Sequence, residues 1–217
     1  MTNRGGQHKQ VIKAAKRAGV KHIVYTSQLH KTDRTDSPIK SIINSHLETE
    51  NAIRKSGMHY TILRNGLYMD FLPAFLGNQV LEKGIFLPAG TGRVAFALRS
   101  DLAEATANIL VSSSHKNKIY NLSGDGITFS EISDILTKIS ANNVSYVNAN
   151  YDRYVDNTAV GDTPRKMVLM LANFAVAIAQ GELDGESSQL EALLVRSPKS
   201  VSEFLTDKYI SFTTARQ

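Results

Sequence analysis

The order of apolar patterns in this 217-residue chain predicts an α/β fold built on a parallel sheet. Two observations carry that prediction. Helix-period and strand-like segments alternate twice before Gly66, and the alternation resumes after Asp101 with equally short connections. Helix and strand joined this tightly leave right-handed parallel crossovers as the arrangement that packs.

The first helix is expected over residues 7–18. Val11, Ala14, Ala15 and Ala18 fall at helical spacing, Lys9, Lys13, Lys16 and Arg17 make the other face, and Gly19 supplies a left-handed stop. Residues 22–27 form a β-branched run that ends in Thr26 and Ser27 and suits one buried strand. After a polar loop over residues 31–37, Pro38 favours a new helix over residues 39–56, with Ile39, Ile43, Leu47 and Ile53 aligned and Gly57 as its end. Residues 60–64 follow as a second strand, closed by Asn65-Gly66.

Two extended stretches, residues 85–88 and 94–98, flank Gly90-Thr91-Gly92-Arg93. This segment satisfies a G-x-G-x-x-A pattern, yet alternation continues after it where a phosphate-binding loop would open a helix. A β-hairpin turn, in which glycine supplies positive φ, is the expectation. Asp101 and Glu104 mark a helix start ahead of Leu102, Ala105, Ile109 and Leu110, with a strand at residues 119–122. Thr128 and Glu131 make a capping box before Phe129, Ile132, Leu136 and Ile139. The character changes beyond residues 144–147. Residues 151–163 are expected to be irregular and residues 164–180 helical, with Met167, Leu171, Phe174 and Ile178 on one side. A last helix opens at Ser200, again with glutamate three residues on at Glu203.

Composition excludes several classes. No apolar run approaches the ~20 residues of a membrane span, and the amino terminus lacks a signal-peptide core, so a cytoplasmic protein without membrane contact is expected. The chain has no cysteine and therefore no disulfide, thiolate metal site or thiol nucleophile. The net charge of +5 is scattered over helix faces and loops with no basic run interleaved with aromatics, which argues against nucleic acid. His8, His22, His30, His46, His59 and His115 show no metal-binding spacing, and no G-x-S-x-G elbow is present.

Seven stretches in one order carry a family resemblance: Gln7-His8, Ala18-Gly19-Val20-Lys21, Tyr25-Thr26-Ser27, His46-Leu47-Glu48-Thr49-Glu50, Leu63-Arg64-Asn65-Gly66, Gly90-Thr91-Gly92-Arg93 and Arg99-Ser100-Asp101. Together they resemble the NmrA-like atypical short-chain dehydrogenases/reductases, and among these the NAD(P)H:quinone oxidoreductases of type 2. The likeness is densest over residues 11–105 and thins after Tyr151. It implies a Rossmann-like parallel sheet lacking its first βα units, on the order of 70 to 90 residues including the glycine-rich loop, with a small C-terminal α+β lobe. The strand at Ile23 to Tyr25 is then expected at an unpaired sheet edge. Residues 1–150 would be the remainder of the NAD(P)-binding domain and residues 151–217 a small substrate-side helical lobe.

Candidate site residues follow from this frame. Ligands of open α/β sheets gather beyond the carboxyl ends of the strands, where Thr26, Ser27, Asn65, Gly66 and Tyr68 would line a rim. Asn65 both donates and accepts, which suits a carboxamide; it also suits a plain Asn-Gly turn. Gln7 and His8 stand at a helix start beside the expected pyrophosphate, or are simple polar residues. Arg93 matches a basic residue that the family places near the cofactor phosphates; the alternative is a solvent-facing arginine. His46 occupies the helix position where ordinary short-chain reductases keep a catalytic lysine, and no tyrosine has a lysine four residues later. His46 and Tyr68 are therefore the catalytic candidates, His46 with a structural role as its alternative. The resemblance implies NADP or NAD, NADPH favoured, and hydride transfer to a quinone or similar small acceptor. A non-catalytic NAD(P) sensor and an inactive reductase fragment are the alternatives, and the stripped edge makes a homodimer possible.

Overall fold

The computed structural model describes residues 4–31, 36–159, 164–185 and 188–210. The chain runs α1 (Arg4–Arg17), β1 (His22–Gln28), α2 (Lys40–Lys55), β2 (His59–Asn65), β3 (Leu67–Tyr68), a 3₁₀ turn at Met69–Phe71, α3 (Leu72–Leu76), α4 (Val80–Lys83), β4 (Ile85–Leu87) and β5 (Val94–Ala97). It continues through α5 (Arg99–Leu110), β6 (Lys118–Leu122), β7 (Gly126–Ile127), α6 (Phe129–Ser140), β8 (Tyr146–Asn148), α7 (Tyr151–Ala159), α8 (Arg165–Ala179), α9 (Leu190–Leu194) and α10 (Val201–Tyr209).

The main sheet has the order β1-β2-β6, all parallel. Its two faces are covered by different helices. Ile12 and Ala15 of α1 and Ile53 of α2 pack with Ile23 and Tyr25 on one face. Leu102, Ala105 and Ile109 of α5 and Leu190 and Leu194 of α9 pack with Val24, Leu63 and Leu122 on the other. Side chains alternate across a strand. Tyr25, Ser27 and Arg64 therefore face α2, while Val24, Thr26, Gln28, Leu63 and Asn65 face the α5 side. Among the described residues β1 pairs only with β2, the edge position that the sequence predicted.

On the α2 face one buried ion cluster joins helix and sheet. Glu50 of α2 has no exposed surface. Its Oε1 accepts from Ser27 Oγ at 2.7 Å and Arg64 Nε at 3.0 Å, and its Oε2 accepts from Arg64 and Arg54 Nη2, each at 2.8 Å. Burial alone would raise the carboxyl's pKa; the hydrogen bonds from Arg64 and Ser27 and the positive charge of Arg64 and Arg54 outweigh it and hold Glu50 below the ordinary carboxylate range.

Several expectations need correction, among them the apolar positions Leu110 and Met167, which are exposed. The glycines at 90 and 92 do not make a hairpin, because β4 pairs with β8 while β5 pairs with β3 and β7. Gly90 does take the expected positive φ (55°), but Gly92 is required by close approach: a Cβ on it would overlap the carbonyl oxygen of Ile178 at the end of α8. Residues 151–159 are helical, since α7 buries Tyr154 and Val155 against the large cluster around Phe129, Leu171 and Leu205. On α1 the buried residue is Ile12, and Val11 is 62% exposed. The fifth helix starts two residues ahead of Asp101, which is buried and instead accepts from Arg196 Nη2 and the Lys199 amide, both at 2.8 Å. Both capping boxes, Thr128/Glu131 and Ser200/Glu203, are present. The middle of the polar loop expected at residues 31–37, and the end of the stretch expected to be irregular, lie outside the described residues. Among the described residues no helix is long and apolar enough to cross a membrane.

Glu50→Gln leaves two guanidinium groups facing a neutral amide and should cost about 3–5 kcal/mol in urea unfolding. A carboxylate with a depressed folded pKa contributes stability above the unfolded value of about 4.3 and loses it as pH falls through the folded value. The wild-type chain should therefore lose stability on acidification below that point, and the variant should lack this component. Gly92→Ala should lower stability by about 1–3 kcal/mol, because the loop must retreat from α8; an unchanged melting temperature would show that the approach is not tight.

Candidate functional site

The carboxyl edge of the parallel sheet is built from three strand ends and one returning turn. Gln28 and Asn65 are direct neighbours in the β1–β2 register and lie on the same face. The Asn65 carbonyl accepts from the Leu29 amide at 2.8 Å, and the Gly66 amide donates to Leu122 at 2.8 Å, which brings Ser123 beside them. Gly66 has no room for a side chain, since a Cβ there would lie 2.5 Å from the Ala95 carbonyl oxygen.

The turn after α8 closes over this edge. Gly181 takes a left-handed conformation (φ 74°), so the chain reverses and the Glu182 amide bonds back to the Ala177 carbonyl. The Lys31 amide then donates to the Glu182 carbonyl at 3.0 Å and the Ala95 amide to that of Leu183 at 2.9 Å. Gly185 packs so closely on Ala95 and Ser123 that a Cβ would lie 2.6 Å from the Ala95 Cβ. Glu182 is thereby fully buried, with Oε2 accepting from Ser37 Oγ at 2.6 Å.

Among the described residues five buried side-chain atoms have no hydrogen-bond partner: Gln28 Nε2, Asn65 Oδ1, Ser123 Oγ, Gln180 Oε1 and Glu182 Oε1. Each belongs to a strand end or to the returning turn. A primary carboxamide, with two donors and one acceptor, would meet the acceptors of Asn65 and Glu182 and the donor of Gln28.

The residues singled out in the sequence divide between the two faces. Thr26 is exposed and Asn65 is buried on the α5 side, where Tyr68 also packs; its ring lies nearly parallel to Phe71, with centroids 6.3 Å apart. Ser27 lies on the opposite face and gives its hydroxyl to Glu50. His46 is on that face too, its Nδ1 2.8 Å from the Tyr25 hydroxyl, whose pKa burial raises. The sheet thus stands between His46 and Tyr68. His8, in the second turn of α1, sits 2.9 Å from Thr49 Oγ1 and edge-on to Tyr25, while Gln7 is exposed. Arg93 is half exposed, bonds the Gly126 carbonyl and pairs with Glu131 at 3.4 Å.

Gln28, Gln180 and Glu182 carry no motif and are absent from the sequence reading. The period of two from Val24 through Thr26 is the signal that aims Gln28 at this face. For Glu182 no local signal exists, because its position depends on where α8 ends in space.

The NmrA-like family profile matches residues 3–205. Quinone oxidoreductase 2 of Escherichia coli (strain K12) is 36% identical over 202 residues, covering 92% of this chain and 69% of that protein. The crystal structure of an NADPH-dependent quinone oxidoreductase from Escherichia coli superposes with a TM-score of 0.84 at 33% identity, over 94% of this chain and 73% of the other. That of the Citrobacter sp. triphenylmethane reductase complexed with NADP(H) gives 0.86 at 32%, over 95% and 73%. With the family profile spanning residues 3–205 and a relative 36% identical over 69% of its own length, the chain belongs to the NmrA-like family.

Proposed function

We infer that this chain is an NAD(P)H-dependent oxidoreductase that passes a hydride to a quinone or similar small acceptor, with NADPH as the favoured donor. One observation carries the reading: the unpartnered buried polar atoms of the described residues all stand at the carboxyl edge of the sheet or in the turn above it. Buried polar groups are rarely left unpaired, so their concentration at one edge marks a surface shaped for a polar ligand. The relatives support the same chemistry, since one is named an NADPH-dependent quinone oxidoreductase and another is a reductase complexed with NADP(H).

A reduced nicotinamide, when bound, supplies the hydride. Gln28, Asn65 and Glu182 would hold its carboxamide through the unpartnered donor and acceptors they carry. Thr26 and Gly66 line the same rim, and the Tyr68–Phe71 stack gives the acceptor a flat apolar surface. Gln7 and His8, near the amino end of α1, serve the pyrophosphate side. Arg93, beside Gly126 and close to Asp184, serves the anionic part of the ligand. Ser27 and His46 act from the opposite face, Ser27 by fixing the strand end through Glu50 and His46 by holding Tyr25. Residues 1–150 supply most of the cofactor groups, and residues 151–217 close the substrate side through the turn at Gly181.

β1 leaves one edge without a partner strand among the described residues, and two copies joined along it would satisfy that edge. A homodimer is therefore part of this reading.

Calorimetric titration of the folded chain with NADPH should give micromolar affinity, about −8 kcal/mol. The reduced nicotinic acid counterpart sets a carboxylate against Glu182 and should bind about a hundredfold more weakly. Glu182→Gln should narrow that gap. Absence of NADPH binding would overturn the reading, and equal binding of the two ligands would remove Glu182 from it. Sedimentation at micromolar concentration should show a dimer; a monodisperse monomer would count against association through β1.

A further inference from the structure

The amino-terminal edge of the sheet, opposite the ligand edge, holds a separate cavity of about 550 Å³. Lys16, Lys21 and Lys116 line it with His59, Ser56 and Gly57, and the lining contains no carboxylate. None of the three lysines makes a salt bridge among the described residues. The bland account is that these cations only balance helix ends, because α1 and α2 both finish here. Magnitudes decide against it. Each helix end presents about half a negative charge, so the pair offsets about one of three lysines and leaves about two positive charges unmatched.

A neighbouring histidine feels that surplus. His22 is the register neighbour of His59, with Nε2 2.8 Å from Thr61 Oγ1. The Thr61 hydroxyl donates to the His115 carbonyl at 2.8 Å, so it accepts from His22. Burial lowers the His22 pKa first, and the charges of His59, Lys116 and His115 lower it further; only a hydrogen bond with the backbone of Tyr60 opposes them. The Asn117 amide faces His59 Nδ1 at 3.3 Å; when it donates there, the neutral ring keeps its own N–H on Nε2. A cavity with surplus positive charge and nitrogen donors, and no acid in its lining, selects an anion.

We propose that this cavity binds a phosphoryl dianion, such as that of a phosphorylated small molecule, through Lys16, Lys21, Lys116 and His59. The proposal is independent of the cofactor reading, since the two sites occupy opposite ends of the strands. Titration of the full chain with inorganic phosphate, at ionic strength held constant with chloride, tests it through the ring NMR signals of His22 and His59. Phosphate should move both signals saturably and raise the His22 pKa, as a bound anion relieves the like-charge repulsion that lowers it. Lys116→Gln, at an exposed position, should fold normally and weaken the binding tenfold or more. Identical shifts in chloride alone, unchanged affinity in the variant, or saturation by a single-stranded oligonucleotide but not by phosphate would each overturn it.

Discussion

A single buried carboxylate organises the sheet. Glu50 reaches from α2 to the end of β1 through Ser27 and to the end of β2 through Arg64, while Arg54 closes the cluster from its own helix. Four donors on two oxygens satisfy a charge that would otherwise be costly to remove from water. The geometry has a consequence on the far face. Because Ser27 and Arg64 are each one residue before the strand ends, fixing them also fixes Gln28 beside Asn65.

The second constraint is the return of the chain. Nothing in β1, β2 or β6 by itself encloses the polar strand ends; enclosure comes from the turn after α8. Its carbonyls take the amides of Lys31 and Ala95, so a segment more than eighty residues downstream is stitched to both sides of the edge. Gly181 permits the reversal, and the tight contact of Gly92 on Ile178 holds α8 at the right height. The same packing that completes the large apolar core around Phe129 and Leu171 therefore buries Glu182 at the carboxyl edge.

The two ends of the strands differ in chemistry as a result. The carboxyl edge is enclosed, with amide, hydroxyl and carboxylate groups removed from solvent. The amino edge is open and cationic, with lysines from α1, from the turn into β1 and from the loop before β6. A parallel sheet produces this division naturally, since every crossover helix begins at one edge and ends at the other.

Local chemistry alone determined much of this protein. The strand at Ile23 to Tyr25, the helix carrying Ile39, Ile43 and Ile53, the two capping boxes and the parallel order follow from periodicity and capping, which act over a few residues. Asn65 was legible because an Asn-Gly pair at a strand end of an open sheet has a defined place. Tertiary structure decided the rest. Whether Val11 or Ile12 is buried depends on which side of α1 meets the sheet, and neighbouring side chains on a helix differ by only 100°. The glycines at 90 and 92 look alike whether they turn a hairpin or admit a helix end. His46 and Tyr68 stand on opposite sides of the sheet because strand alternation and crossover direction separate them. Glu182 lies at the carboxyl edge only because packing of α8 brought its turn there; a buried charge is specified by what surrounds it in space, and sequence spacing does not carry that information.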